Sequence, residues 1–382
     1  MTTSRGPDRP PPAARPRVRT DLDALPLFRG RAAEAGTIGL DCNESPFAPP
    51  TAVQTALAGA VQGLNRYPDN SSADLTARLA ERHGVPPATV CLGPGSVGLC
   101  VQLIQIVCAA GDEVIVPWRS FEVYPSIAGT AGAVVRRVPL TAGHALDLAA
   151  MAAAISDRTR LVFVCSPNNP TGTSVSRSAV ECFLAQVPPD VLVVLDEAYA
   201  EFTEREDDPL DGFGLVRDRL RQGRTNVVAL RTFSKAYGLA GLRIGYCLAA
   251  PAVAELLGRV AVPYAVGTLA QCAAVAALDC EQEVRERCRY LADERERVRD
   301  ALRGAGWDVP VSGANFLWLP AGSAAEAFAA HCREQRILVK AFPGDGVRVT
   351  VGTATENDAF LAAAARFAPV GARGAVRSTP LR

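Results

Sequence analysis

The 382-residue chain is poor in the features that mark several protein classes. No apolar stretch reaches the roughly 18 to 20 residues that would span a bilayer. Its 40 Lys and Arg are matched by 40 Asp and Glu, so no field of one sign draws nucleic acid or an anionic membrane. Histidine is scarce: His83, His144 and His331 stand far apart, and no C-x-x-C occurs among the eleven cysteines. Neither a zinc site nor a disulfide framework is supported. Cys42, Cys91, Cys100, Cys108, Cys165, Cys247 and Cys272 lie in apolar runs, where a thiol behaves as a small hydrophobe. Reduced thiols in a cytoplasmic protein are expected. The first twenty residues carry five Arg and five Pro without an apolar core. They read as a disordered tail over 1–20 rather than a signal peptide. Residues 368–382 read as a second tail.

What remains is the balanced composition of a globular protein that acts on a small polar or zwitterionic molecule. Short apolar strands are expected at 89–92, 113–116, 134–138, 161–165, 191–195, 226–230 and 243–248. Helical stretches alternate with them at 72–83, 97–109, 146–154 and 177–186. Continuous apolar strands between helices imply a mostly parallel sheet covered on both faces. Beyond Pro263 a charged helix over 281–302, strands over 316–319, 337–340 and 347–353, and a helix between them read as a smaller α+β domain. The division expected is an N-terminal segment over 21–50 packing with the small domain, a large domain over 51–262 and a small one over 263–367.

Ligands of such sheets sit at the carboxyl ends of the strands, and four segments there are chemically loaded. Gly93-Pro94-Gly95-Ser96 leads into an apolar helix, whose N-terminal N–H groups suit an anion. The same glycines with Gly98 satisfy G-x-G-x-x-G, yet no acidic residue follows the next strand to hold a ribose. Alone, a plain tight turn explains them equally well. Ser166-Pro167-Asn168-Asn169-Pro170-Thr171-Gly172 is a stiffened loop presenting amides. The strand 191–195 closes on Asp196-Glu197-Ala198-Tyr199. That Asp either caps a helix or faces a positive group such as a pyridinium nitrogen. Last, Arg231-Thr232-Phe233-Ser234-Lys235 places an amine after a strand, and Arg243 follows with a fork of donors for a phosphate.

These segments, in this order, resemble fold-type-I aminotransferases, most closely the histidinol-phosphate aminotransferase branch. Asn43–Phe47 (NESPF), Arg66–Asp69 (RYPD), Pro117–Pro125 (PWRSFEVYP) and Arg231–Arg243 (RTFSKAYGLAGLR) are similar to its aromatic-amino-acid (phenylalanine) aminotransferase relatives. The resemblance covers about residues 37 to 365. It implies an α/β fold with a mostly parallel seven-stranded sheet, helices on both faces and a smaller α+β domain. It also implies pyridoxal 5′-phosphate held by Lys235 as a Schiff base, with Lys235 as the later proton shuttle. Asp196 would pair with the ring nitrogen, Asn169 and Tyr199 with the ring oxygen, and Phe121 would stack on the ring. Gly95, Ser96, Val97, Thr232, Ser234 and Arg243 would take the phosphate. Tyr67 would reach the phosphate of a neighbouring subunit, which implies a homodimer. Arg348 would clamp the substrate carboxylate, with Asn43 and Lys340 also at the substrate.

Three positions depart from the pattern. Val97-Gly98 stand where histidinol-phosphate enzymes usually carry acidic residues. Lys340 stands where many relatives have Arg and cannot make a bidentate contact. Gly267 stands where aromatic-type relatives often show Asn. The expectation is transamination of an aromatic L-amino acid with a 2-oxo acid such as 2-oxoglutarate. Histidinol phosphate, a specialised-metabolism substrate and a related decarboxylase are the alternatives. From other classes stand a nicotinamide-nucleotide oxidoreductase and a non-catalytic cofactor-binding module.

Overall fold

The computed structural model describes residues 19–27, 36–203 and 207–367. The tail expected over 1–20 lies outside these residues except for Arg19 and Thr20, and that over 368–382 lies wholly outside them. Twelve strands occur among the described residues: β1 Ile38–Gly39, β2 Val90–Gly93, β3 Glu113–Trp118, β4 Val134–Pro139, β5 Thr159–Cys165, β6 Leu192–Asp196, β7 Val227–Thr232, β8 Gly245–Leu248, β9 Phe316–Leu319, β10 Ile337–Leu338, β11 Lys340–Phe342 and β12 Gly346–Thr350.

Seven of them form one sheet in the order β2-β8-β7-β6-β5-β3-β4. Only β8 runs against its neighbours; the other pairs are parallel. The apolar runs are continuous because both faces are covered. Val162, Val164, Val193 and Leu195 point into one core, while Leu161, Phe163, Leu192 and Val194 point into the other. Side chains two apart share a face, so a strand of unbroken apolar residues feeds both layers. Because β8 is antiparallel, its first residue, Gly245, pairs with the last residues of β2 and β7, Gly93 and Thr232. Arg243 is thereby delivered to the same sheet edge as the ends of β2, β5, β6 and β7.

The second sheet, β11-β12-β9, is antiparallel throughout. Leu317, Leu319, Val347 and Val349 face the core of the C-terminal lobe. The intervening residues Phe316, Trp318, Arg348 and Thr350 therefore share the opposite face, together with Lys340 and Phe342. The helix Glu281–Gly304 buries Val284, Cys288, Leu291, Ala292, Arg295, Val298 and Leu302. Their spacing of three and four residues makes one stripe, and the charges fill the rest of the surface. The helix Ala354–Ala364 starts with a capping box between Thr353 and Glu356, which satisfies two end groups reciprocally.

Two expectations are corrected. The strand over 337–340 is two strands: Ile337–Leu338 pairs in parallel with Ile38–Gly39, and Lys340–Phe342 pairs with β12. Between them the chain passes from one sheet to the other at Val339. Cys42 is not among apolar neighbours but exposed, because it lies in the loop that carries Asn43 into the cleft.

Candidate active site

Each loaded segment stands at the same edge of the large sheet. β2 gives way to the helix Gly95–Val107, which no side chain caps, so its first N–H groups have no acceptor within the chain's own helix. Gly95 takes φ +73°, and a Cβ there would lie 2.7 Å from Nη2 of Arg243. A Cβ on Gly245 would collide with the amide N of Ser96. The turn, the guanidinium and the start of β8 are thus packed against one another with no room for larger residues. Arg243 donates from Nη1 to the Ala240 carbonyl (2.9 Å) and to Oγ of Ser234 (3.3 Å). The Ser234 amide donates to Oγ1 of Thr232. Ser96, distant in the chain, joins Thr232, Ser234 and Arg243 in one polar cluster around free helix N–H groups, with Val97 in the same turn. Such a cluster suits a phosphate dianion.

Asp196 ends β6 and is buried. Oδ2 accepts a 2.6 Å hydrogen bond from the Tyr124 hydroxyl, and Oδ1 accepts from the Ala198 amide at 3.2 Å. Burial pushes its carboxyl above the usual range, against the pull of those two donors. A carboxylate has acceptor sites for about four donors, and a buried anion with no cation beside it among the described residues calls for a positive partner. The helix-cap alternative does not hold, since the next element is a short 3₁₀ turn, Ala200–Phe202, whose cap position is Tyr199.

Lys235 is half-buried, and its Nζ donates to the carbonyls of Cys42 (3.1 Å) and Asn43 (3.0 Å). Burial, then the positive charge of Arg348, pull its ammonium down to about 8. Nζ also lies 5.9 Å from the centre of the Tyr199 ring. Tyr199, buried, accepts from Nδ2 of Asn43 at 2.9 Å, and burial raises its phenol. Asn43 has φ +54° and ties the two lobes together. Its amide N–H donates to Oγ1 of Thr350 in β12 (2.9 Å), and its carbonyl also accepts from Nδ2 of Asn315.

Arg348, at 8% exposure, donates from Nη1 to Oδ1 of Asn169 (2.6 Å) and from Nη2 to the Asp41 carbonyl (2.5 Å). Its Nε is buried without an acceptor among the described residues. A guanidinium sunk among Phe316 and Phe342, 5.6 and 6.0 Å from their ring centres, with a donor to spare, is ready for an anion.

Phe121 sits edge-on to Tyr124 at 5.4 Å, and Tyr124 stacks on Phe163 at 4.1 Å. Lys340 lies farther out and pairs with Glu122. Tyr67 is not brought into the cluster: its ring is 81% exposed and stacks on Tyr264 at 4.7 Å.

Tyr124, Asn315 and Thr350 escape a reading of the sequence. They act across 72, 272 and 307 positions, and only the presence of Tyr124 in Pro117–Pro125 hinted at one of them. Another feature is compositional: the chain has two lysines against 38 arginines, and both, Lys235 and Lys340, lie in this region.

The residues present fit pyridoxal 5′-phosphate. A cradle that a Cβ would fill suits the phosphate, a buried carboxylate without a cation suits the ring nitrogen, and an amine of lowered basicity suits the aldehyde.

Residues 35–364 match the family model for aminotransferase class I and II. The aromatic amino acid aminotransferase of Rhodococcus jostii (strain RHA1) is 50% identical over 347 residues, 91% of this chain and 95% of that protein. The aromatic amino acid aminotransferase of Streptomyces avermitilis is 49% identical over 356 residues, covering 92% and 98%. Among solved structures, histidinol-phosphate aminotransferase from Sinorhizobium meliloti, in complex with pyridoxal-5′-phosphate, superposes with TM-score 0.82 at 27% identity. That match covers 93% of this chain and 98% of the other.

Proposed function

The chain belongs to the class I and II aminotransferases, and from that premise we propose that it transaminates aromatic L-amino acids, phenylalanine or tyrosine, with a 2-oxo acid such as 2-oxoglutarate as acceptor. Its layered sheet is that of fold-type-I pyridoxal-phosphate transferases. The observation that carries the substrate reading is the face of the small sheet. Arg348 is set there among Phe316, Trp318 and Phe342, a cationic clamp in an aromatic wall. The named relatives support the same reading. Lys340 is engaged by Glu122, which counts against a phosphorylated substrate such as histidinol phosphate.

When bound, pyridoxal phosphate supplies an aldehyde that condenses with amines and a protonated ring that accepts the electron pair released at the substrate Cα. The turn at Gly95, Ser96 and Val97, with Thr232, Ser234 and Arg243, would anchor its phosphate. Phe121 would cover the ring, and Asp196, held by Tyr124 and the Ala198 amide, would keep positive charge on the ring nitrogen. Asn169 and Tyr199 would donate to the ring oxygen. Arg348 turns its fork from Asn169 and Asp41 to the substrate carboxylate, which fixes Cα relative to Nζ of Lys235. With its basicity lowered to about 8, that amine is neutral in a useful fraction of molecules at neutral pH, so Nζ can take the Cα proton and return it one atom along. The buried wall of Phe316 and Tyr199, in edge contact at 5.0 Å, keeps water from this transfer. Asn43 holds both Tyr199 and the Lys235 amine in position.

A homodimer is part of the same proposal: Tyr67, 81% exposed in a segment with exposed Leu64 and Val61, would reach the phosphate of the neighbouring protomer. The division into 21–50, 51–262 and 263–367 and a cytoplasmic location belong to the same proposal. A donor panel of phenylalanine, tyrosine and histidinol phosphate with 2-oxoglutarate tests it. Phenylalanine and tyrosine should give the largest kcat/KM, and a preference for histidinol phosphate overturns the substrate reading.

A further inference from the structure

The ion pair between Nζ of Lys340 and Oε2 of Glu122, at 3.2 Å, joins the two lobes at the mouth of the site. Neither partner is placed there at random. Lys340 is the residue directly opposite Arg348 in the β11–β12 register, so the two side chains stand on one face about 5 Å apart at Cβ. Both cations approach the same ring, Phe342, at 5.7 and 6.0 Å. Glu122 follows Phe121 directly, and while burial lowers the Arg348 guanidinium, the Glu122 charge is among those that counter it. A neighbouring pair, Arg119 with Asp345 at 2.5 Å, holds the same two segments together and so fixes where Glu122 can reach. In a chain that uses arginine for all but two of its basic residues, the compact ammonium at 340 lies beside the substrate's clamp.

We propose that Glu122 is a specificity-determining residue: by occupying Lys340 it keeps the side-chain end of the substrate site electrically neutral, so that the site disfavours substrates whose side chain carries a carboxylate or phosphate. The inference rests on the placement of the substrate carboxylate at Arg348. With the pair closed, an apolar side chain meets the Phe342 ring and the methylene stem of Lys340. An anionic side chain meets the like charge of Glu122 and must displace it to reach the ammonium. Because both partners are about two-fifths exposed, solvent screens the pair and the displacement is a modest barrier rather than a block. Taking the charge from Glu122 leaves the Lys340 ammonium without its ion-pair partner beside the Arg348 clamp, and two neighbouring cations favour a dianion.

The test uses the cofactor-loaded protein and three unreactive ligands, read by the change they cause in its visible absorbance. Propionate and succinate differ only in a second carboxylate, and 3-phenylpropionate adds an aromatic ring instead. In Glu122→Gln the affinity ratio of succinate to propionate should rise about tenfold over wild type, equivalent to about 1.4 kcal/mol. Adding Lys340→Met to that variant should return the ratio to within about twofold of wild type. A ratio that stays within about twofold in Glu122→Gln overturns the proposal, as does a raised ratio that persists without Lys340. The ratio of 3-phenylpropionate to propionate in wild type reads the aromatic assignment separately, so either can fail alone.

Discussion

Replacing Lys235 with methionine probes the amine without any cofactor present. In the folded protein its basicity is lowered from 10.5 to about 8, by burial and then by Arg348. A base whose folded value lies below its unfolded one opposes folding in its charged form. Below pH 8 both states hold the proton and the opposition is complete. Between 8 and 10.5 the folded state gives up the proton while the unfolded state keeps it, so stability rises with pH. Above 10.5 the opposition is gone. For these two values the linkage relation gives a burden of about 3 kcal/mol at pH 7 and about 1 at pH 10. Wild-type apoprotein should therefore gain about 2 kcal/mol relative to Lys235→Met between pH 7 and pH 10. The lost hydrogen bonds to the carbonyls of Cys42 and Asn43 shift the variant by an offset that the comparison between the two pH values removes. Groups out of reach of the Lys235 charge titrate alike in both proteins and cancel. Urea unfolding of the two apoproteins at each pH supplies the numbers. A difference that stays constant within about 0.5 kcal/mol would refute the lowered basicity.

Two more outcomes are expected at the site. Asp196→Asn removes the anion from the ring-nitrogen position while keeping its shape, and transamination should fall by at least about a hundredfold with the fold retained; activity within about threefold of wild type would count against the pairing. Arg348→Lys keeps the charge but loses the fork, so kcat/KM for phenylalanine should drop by about 2 to 3 kcal/mol, or roughly 30- to 150-fold, while the visible absorbance of the bound cofactor stays.

Much of the site was legible because it sits at strand ends. The apolar runs before Gly93, Ser166, Asp196 and Thr232 announce buried parallel strands, and such strands end where ligands bind. The residues just beyond them therefore had chemistry to explain before any geometry was known. Other features left no local trace. The hydrogen bond that holds Asp196 comes from Tyr124, and nothing near either residue encodes the other. Asn43 is tied to Thr350 across 307 positions. Residues 337–340 read as one apolar strand, yet they serve two partners, because strand pairing depends on which edge is near and hydrophobic pattern does not report that. The ion pair of Glu122 with Lys340 is a contact between lobes, and each residue alone looks like an ordinary surface charge.

Lys235 is the residue on which the proposed chemistry depends, and the composition makes its bond to the cofactor directly measurable. Only Lys235 and Lys340 carry a side-chain amine, so hydride reduction of the cofactor-loaded protein, followed by peptide mapping, has two possible lysine outcomes. The pyridoxyl group should be found on Lys235. Recovery of the label on Lys340, or no labelled lysine at all, would contradict that assignment.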